Sequence, residues 1–207
     1  WVAKSLEGLK PVTAGGFVVH GSHDTPPAGA GLTAIRIDAA QAFGTGHHAT
    51  TSGCLEAIDR LTRRRRFQRP LDVGTGTGVL AIAIAKRLRV PVLATDIDPV
   101  AVRTAAANAR DNSVGPLVTT LVADGLDHRR IRQGAPYDLI VANILAGPLI
   151  ALAPDMGRIA ERGAAIVLSG LLQTQAARVL AVYARQRMVA RQRLVRGEWA
   201  TLVLERL

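Results

Sequence analysis

Aromatic side chains are nearly missing from this chain: Phe, Tyr and Trp together make up 3% of its 207 residues. A core built without them has to be aliphatic, and a hydrophobic content of 48% is enough for one substantial domain. Cysteine occurs once, at Cys54, which excludes an internal disulfide, argues against a zinc site and fits a reducing cytoplasm. Lysine occurs only at positions 4, 10 and 86, so arginine carries nearly all the positive charge. No apolar run reaches the roughly 18 residues that a membrane-spanning helix needs. The longest candidate, 139–153, is broken by Asn143, Gly147 and Pro148. The chain opens on Trp1 without a signal-peptide pattern, so a piece of a longer protein is expected.

The charge that is present is one-sided, at +10. Spread over solvated faces, it reflects an Ala- and Arg-rich composition; the lesser alternative is direct nucleic-acid binding through a basic surface. The densest cluster, Arg63 to Arg66, closes an expected helix, where cations meet the negative end of the helix dipole.

Residues 1–38 read differently from the rest. Phe17–His20 and 34–37 have the look of short strands around a loop at 21–31 rich in Gly, Pro, Ser and Asp, so a β extension or linker is expected there. From residue 39 strands and helices alternate. Leu55, Ile58 and Leu61 have helical spacing within 51–65. Strands are expected at Pro70–Val73, 92–95, 117–122, 137–142 and 164–168, with Gly163 as the turn before the last. Helices are expected at Val79–Leu88, at 100–110 after Pro99, at 148–160 and at 173–185. Segments 188–194 and 199–205 read as a hairpin turning at 195–198. This order predicts an α/β fold: a seven-stranded, mostly parallel sheet with helices on both faces and an antiparallel strand near one edge.

The chemistry concentrates where strands end. Gly74-Thr75-Gly76-Thr77-Gly78 follows the first of these strands and opens a helix, so Gly74, Gly76 and Gly78 form a candidate cradle for a nucleotide-containing cofactor. Their spacing is GxGxG, unlike the GxGxxG that favours a pyrophosphate at a helix N-terminus. Asp96 ends the next strand, where a carboxylate can accept hydrogen bonds from ribose hydroxyls; Asp98 is the better helix cap. Asp124 ends the third strand, in reach of an adenine amino group or as a plain turn residue. Asn143 emerges from the apolar run that ends the fourth strand, as a turn former or as a site residue. A second glycine loop, from Phe43 to Thr51, is placed to lie over the cofactor as a lid. His47 and His48 within it are adjacent, so they cannot easily share a metal; His20 and His23 read as surface loop residues.

Several of these segments, in order, resemble one known family. They are Ala42-Phe43-Gly44-Thr45-Gly46 with His48, Thr50 and Thr51; Asp72 to Gly78; Asp96-Ile97-Asp98-Pro99; Asn143-Ile144-Leu145-Ala146-Gly147-Pro148-Leu149; Ser169-Gly170; and Glu198-Trp199. They are similar to the PrmA family, the bacterial methyltransferases that act on ribosomal protein L11. The lid departs from that family's usual Gly-Thr-His-Pro-Thr-Thr, reading Gly46-His47-His48-Ala49-Thr50-Thr51, and Thr77 stands where the family usually has Ser. The resemblance implies a Rossmann-like class I methyltransferase fold that uses S-adenosylmethionine and methylates the α-amine and lysine ε-amines of ribosomal protein L11. It places cofactor contacts on Thr51, Gly74, Asp96 and Asn143. It also implies a domain division: 1–38 as the extension, 39–207 as the methyltransferase domain, and the family's N-terminal substrate-docking domain outside this chain. Three rivals stay open: a lysine methyltransferase of the electron-transfer flavoprotein β-subunit type, a nicotinamide-dependent oxidoreductase with a parallel sixth strand, and a cofactor-binding module without activity.

Overall fold

The structure, a computed structural model, describes residues 11–24, 31–37 and 45–207, with 45–48 described by their backbone alone. The lead-in forms a small three-stranded sheet. β1 (Val12–Ala14) pairs antiparallel with β2 (Phe17–His20), and β2 pairs parallel with β3 (Thr33–Arg36). β1 is too short to have shown a period in the sequence. The boundary expected between residues 38 and 39 lies outside the described residues.

The rest is a layered α/β unit. In chain order its elements are α1 (Thr45–Arg64), β4 (Pro70–Val73), α2 (Val79–Leu88), β5 (Val92–Asp96), α3 (Pro99–Asp111), β6 (Val118–Val122), α4 (Arg129–Gly134), β7 (Tyr137–Asn143), α5 (Ala146–Ile159), β8 (Ala160–Leu172), α6 (Ala176–Ala184), β9 (Met188–Arg196) and β10 (Trp199–Arg206). The large sheet runs β6-β5-β4-β7-β8-β10-β9, as a seven-stranded sheet was expected to. β4 to β8 are mutually parallel; β10 runs antiparallel to β8, and β9 pairs with β10 at the edge. Among the described residues the hairpin stands where the oxidoreductase reading required a parallel sixth strand.

Alternation of side chains along each central strand builds two cores. Leu139, Val141, Ala165 and Val167 face the layer of α1, α2 and α3; Ile140, Ala142, Ile166 and Leu168 face α5 and α6. Fully burying one such aliphatic side chain is worth about 1.5–3 kcal/mol. Aromatics are spent sparingly: Tyr183 is fully buried in the second core and donates its hydroxyl to the Leu149 carbonyl at 2.9 Å.

The small sheet shares the first core through Phe17, Val19 and Ile35. Arg87 of α2 stacks 4.8 Å over the Phe17 ring and pairs with Asp59 of α1 at 2.7 Å. Asn112 closes α3 and grips the backbone of Arg36 on both sides. Its Oδ1 accepts from the Arg36 N–H at 2.9 Å, and its Nδ2 donates to the Arg36 carbonyl at 2.7 Å. The lead-in is thus bound to the large unit by hydrogen bonds as well as by apolar contact.

Four sequence expectations need adjustment. α1 begins at Thr45, so the backbone of the expected lid is helical from there; one glycine costs a helix about 1 kcal/mol, which packing of the later turns offsets. The lid residues Phe43 and Gly44 lie outside the described residues. β8 starts at Ala160 and carries Gly163 inside it, next to a register shift against β7. α4 was not foreseen because only Ile131 of its six residues is buried, too little for an apolar stripe. α5 starts two residues early, since Pro148 is tolerated in a first turn whose N–H groups need no partner.

Candidate functional site

β4 has β5 on one side and β7 on the other, and the chain reaches them in opposite directions. A crevice opens at such a switch point, outside the carboxyl ends of the strands. The segments after β4, β5, β6, β7 and β8 all reach this rim.

The turn after β4 is held by its own backbone. Thr75 N–H donates to the Thr95 carbonyl and Gly78 N–H to the Thr75 carbonyl, each at 2.9 Å. Gly74, Gly76 and Gly78 all have positive φ, at 68°, 54° and 84°. A Cβ on Gly74 would overlap the Ile144 side chain, because the β4 and β7 ends approach so closely; a Cβ on Gly78 would meet Ala105 of α3 at 3.0 Å. A Cβ on Gly76 would meet nothing within 4 Å, so this turn leaves room on one side for a ligand.

Asp96 ends β5 and faces that turn. Its Oδ2 accepts from Gly76 N–H at 2.8 Å and its Oδ1 from Asp98 N–H at 3.0 Å. An ionised carboxylate offers about four acceptor sites, so two remain. Asp98 caps α3 by accepting from Val100 N–H at 2.8 Å, as expected. Asp124 follows β6 on the same rim, exposed, and Ala123 N–H donates to the Asp96 carbonyl at 2.9 Å. Two apolar side chains stand exposed beside them, Ile97 at 65% and Val100 at 58%. Exposed apolar surface next to convergent polar groups is the usual lining of a ligand site.

Asn143 ends β7. Its Nδ2 donates to Oγ1 of Thr51, a buried residue of α1, at 3.2 Å. The remaining Oδ1 has no donor among the described residues. Behind this pair lies a polar knot that the sequence did not reveal. Ser169 Oγ lies 2.8 Å from Thr201 Oγ1 and 3.3 Å from the carbonyls of Thr50 and Ala200. It ties α1, β8 and β10 together under the crevice. Gly170 then packs onto the backbone of Ile144, and Ile144 N–H donates to the Ser169 carbonyl at 3.1 Å. The only sequence signal was the Ser169-Gly170 pair.

Cys54 sits beside this knot, fully buried, and burial pushes its thiol up to about 12, so little thiolate is present at neutral pH. Among the described residues, no three His, Cys, Asp or Glu side chains converge as metal ligands would. No described helix is long and apolar enough to cross a membrane. His20 lies at the end of β2 rather than in a loop, with Nδ1 2.8 Å from the Gly21 carbonyl.

Asp72, beneath the glycine turn, is buried. It accepts from Thr75 Oγ1 at 2.6 Å and from Ala81 N–H at 3.1 Å, both on Oδ2, while its Oδ1 has no partner. Burial pushes its carboxyl from 3.8 up to about 6, and the nearby Asp96 charge adds to the rise. The native state therefore keeps this proton over a pH range in which the unfolded state has lost it. Unfolding free energy contributed by Asp72 falls as pH rises from about 4 to about 6, by roughly 3 kcal/mol, and is level above. Urea unfolding of wild type and Asp72→Asn across that range is expected to show the decline only in wild type; parallel curves would show that Asp72 titrates normally.

The profile of the ribosomal protein L11 methyltransferases (PrmA) matches residues 1–207. A ribosomal protein L11 methyltransferase of Mesorhizobium japonicum is 54% identical over 205 residues, which cover 99% of this chain and 71% of the relative. That of Rhizobium etli is 51% identical over 206 residues, covering 100% and 70%. Among solved structures, the ribosomal protein L11 methylase of Lactobacillus delbrueckii subsp. bulgaricus superposes with a TM-score of 0.85 at 28% identity, over 96% of this chain and 99% of that one.

Proposed function

The chain belongs to the ribosomal protein L11 methyltransferase family, and on that premise we propose that it transfers methyl groups from S-adenosylmethionine to amines of ribosomal protein L11, the lysine ε-amines, the N-terminal α-amine or both. The observation that carries this reading is the pair formed by Asn143 and Thr51, which presents beside the glycine turn an amide oxygen with no donor among the described residues.

The crevice suits the cofactor on three counts. Gly76 leaves space where an adenosyl group can approach the backbone. Asp96 keeps acceptor sites for two ribose hydroxyls, and Asp124 stands one strand further along for the adenine amino group. The unpartnered Oδ1 of Asp72 supplies negative charge below a cationic ligand. Gly74, Gly76, Gly78, Asp96, Asp124, Thr51 and Asn143 are the residues that would hold it. When bound, the cofactor supplies an electrophilic methyl group on a sulfonium.

The protein's part is to receive an amine and aim it. A lysine ammonium with a pKa near 10.4 needs roughly 4 kcal/mol to lose its proton near pH 7.4. Partial burial and a neighbouring positive charge both lower that cost. Among the described residues no paired carboxylates stand ready as general base, so water takes the proton. The Asn143 Oδ1, with main-chain carbonyls around it, accepts N–H bonds from the neutral amine and turns its lone pair inward. Residues 39–207 form the methyltransferase domain in this reading, and 1–38 a β extension fastened to it. The reaction is placed in the cytoplasm, where Cys54 stays reduced.

Calorimetry and mass spectrometry test the proposal together. S-adenosylmethionine is expected to bind and NADH not to; ribosomal protein L11 incubated with chain and cofactor is expected to gain methyl groups. Asp96→Asn keeps the side chain's shape but loses charge-assisted bonds, each worth about 1.5–3 kcal/mol. Its cofactor Kd is expected to rise about 10- to 150-fold. NADH binding, or an unchanged Kd in Asp96→Asn, would overturn the assignment of the crevice.

A further inference from the structure

The edge of the sheet opposite the crevice is a second candidate surface. Strands β4, β5, β7 and β8 begin there, and the helices that precede them end there. Arg64, Arg65, Arg66 and Arg69 crowd the end of α1 and the connection to β4, all exposed, and Arg162 is exposed near the start of β8. The two segments are joined. The Arg65 guanidinium donates to the Gly163 carbonyl and lies 4.9 Å over the Phe67 ring; Arg69 pairs with Glu161 at 3.3 Å.

Little negative charge offsets them. Glu161 is taken by Arg69, and Asp138 is buried, accepting from the backbone N–H groups of Gln68 and Arg69 at 2.6 and 2.9 Å. The side chains of Arg64, Arg66 and Arg162 have no hydrogen bond or ion pair among the described residues. Helix dipoles account for cations in a last turn, hence for Arg63 and Arg64, but not for Arg66, Arg69 or Arg162, which lie outside any helix. The crevice rim differs, mixing Asp96, Asp98, Asp124 and Asp127 with Arg129 and Arg130.

We propose that this arginine edge binds the phosphodiester backbone of duplex RNA while the crevice on the far side stays open to the protein substrate. Guanidinium groups take phosphate oxygens in bidentate pairs, and several unpaired ones on one edge fit a ligand with repeated charge. A membrane surface fits less well. Binding there draws on apolar anchors, and of the large exposed hydrophobics among the described residues only Leu207 lies at this end. RNA is chosen over DNA because the substrate proposed above is a ribosomal protein.

Fluorescence anisotropy with a labelled RNA stem, a DNA duplex of the same sequence and phosphatidylserine vesicles decides the matter. The chain is expected to bind the RNA stem with micromolar affinity at low salt, and log affinity to fall linearly with log salt. Charge reversal by Arg64→Glu, Arg66→Glu and Arg162→Glu together is expected to weaken binding at least about tenfold and to flatten the salt slope by about three. Arg129→Glu with Arg130→Glu is expected to leave RNA affinity within about twofold. The melting temperature and the heat of S-adenosylmethionine binding of the triple variant serve as fold checks; if the reversal unfolds the chain, Ala at the same three positions reads the same loss. The proposal falls if the stem is not bound, if only DNA or only vesicles are bound, or if the triple variant binds RNA like wild type.

Discussion

Replacing Asn143 by Ala is expected to lower turnover about 10²- to 10³-fold while the Kd of S-adenosylmethionine moves only a few-fold. The amide is anchored through its nitrogen. Nδ2 is committed to Thr51 Oγ1, a buried side chain on α1, so the amide plane is fixed from below and Oδ1 is left as the group that can receive the amine. A preorganised polar group aimed at the reacting atom is worth about 2.7–4 kcal/mol in the rate. On the proposed assignment the cofactor would keep Asp96 and the backbone around Gly76, so its affinity would depend far less on the amide. Single-turnover rates and calorimetry separate the two effects. An equal loss of affinity and rate would remove the orienting role and leave Asn143 as a cofactor contact. Asn143→Asp adds a second check: it keeps an acceptor but holds the amine as ammonium, so its rate should recover as pH rises.

The second large effect is on stability. Gly170→Ala is expected to cost about 2–5 kcal/mol in urea unfolding and to lower cofactor affinity with it. Gly170 has φ 84°, where a side chain costs about 1–2 kcal/mol. Its Cβ would stand 2.7 Å from the Ile144 carbonyl carbon and 2.9 Å from the Ile144 nitrogen, with the carbonyl oxygen closer still. These are backbone atoms, so relief requires moving the segment after β7 that begins next to Asn143, and overpacking of this kind costs about 1–3 kcal/mol more. Gly147→Ala is the control. It lies in the first turn of α5 and its Cβ would meet nothing within 4 Å, so it should be neutral or up to about 1 kcal/mol stabilising. If Gly170→Ala unfolds like wild type, the close approach of β8 to Ile144 is not a constraint.

Local signals in the chain were enough for the order of elements. Pro70–Val73, the glycine turn and Val79–Leu88 stand in sequence within one short stretch, and the Asp98 cap sits next to Pro99. The hairpin of β9 and β10 was readable from Gly197 between two apolar-rich segments, and with it the antiparallel strand next to one edge. Element ends were less legible. α1 starts at Thr45 and β8 at Ala160, earlier than the apolar patterning that marked them in the sequence.

By itself, then, the amino-acid order determined the fold class, a mainly aliphatic core with few aromatics, and the residue types that stand at the carboxyl rim, since each follows from spacing and composition within a few turns of chain. Only the tertiary structure decided which of those residues meet. Thr51 lies far from Asn143 along the chain, and Ser169 from Thr50 and Thr201; Gly170 touches Ile144 across two strands, and Arg65 reaches the Gly163 carbonyl at the opposite edge. Such pairings arise from strand order and helix placement, which set distances between residues that no local period connects.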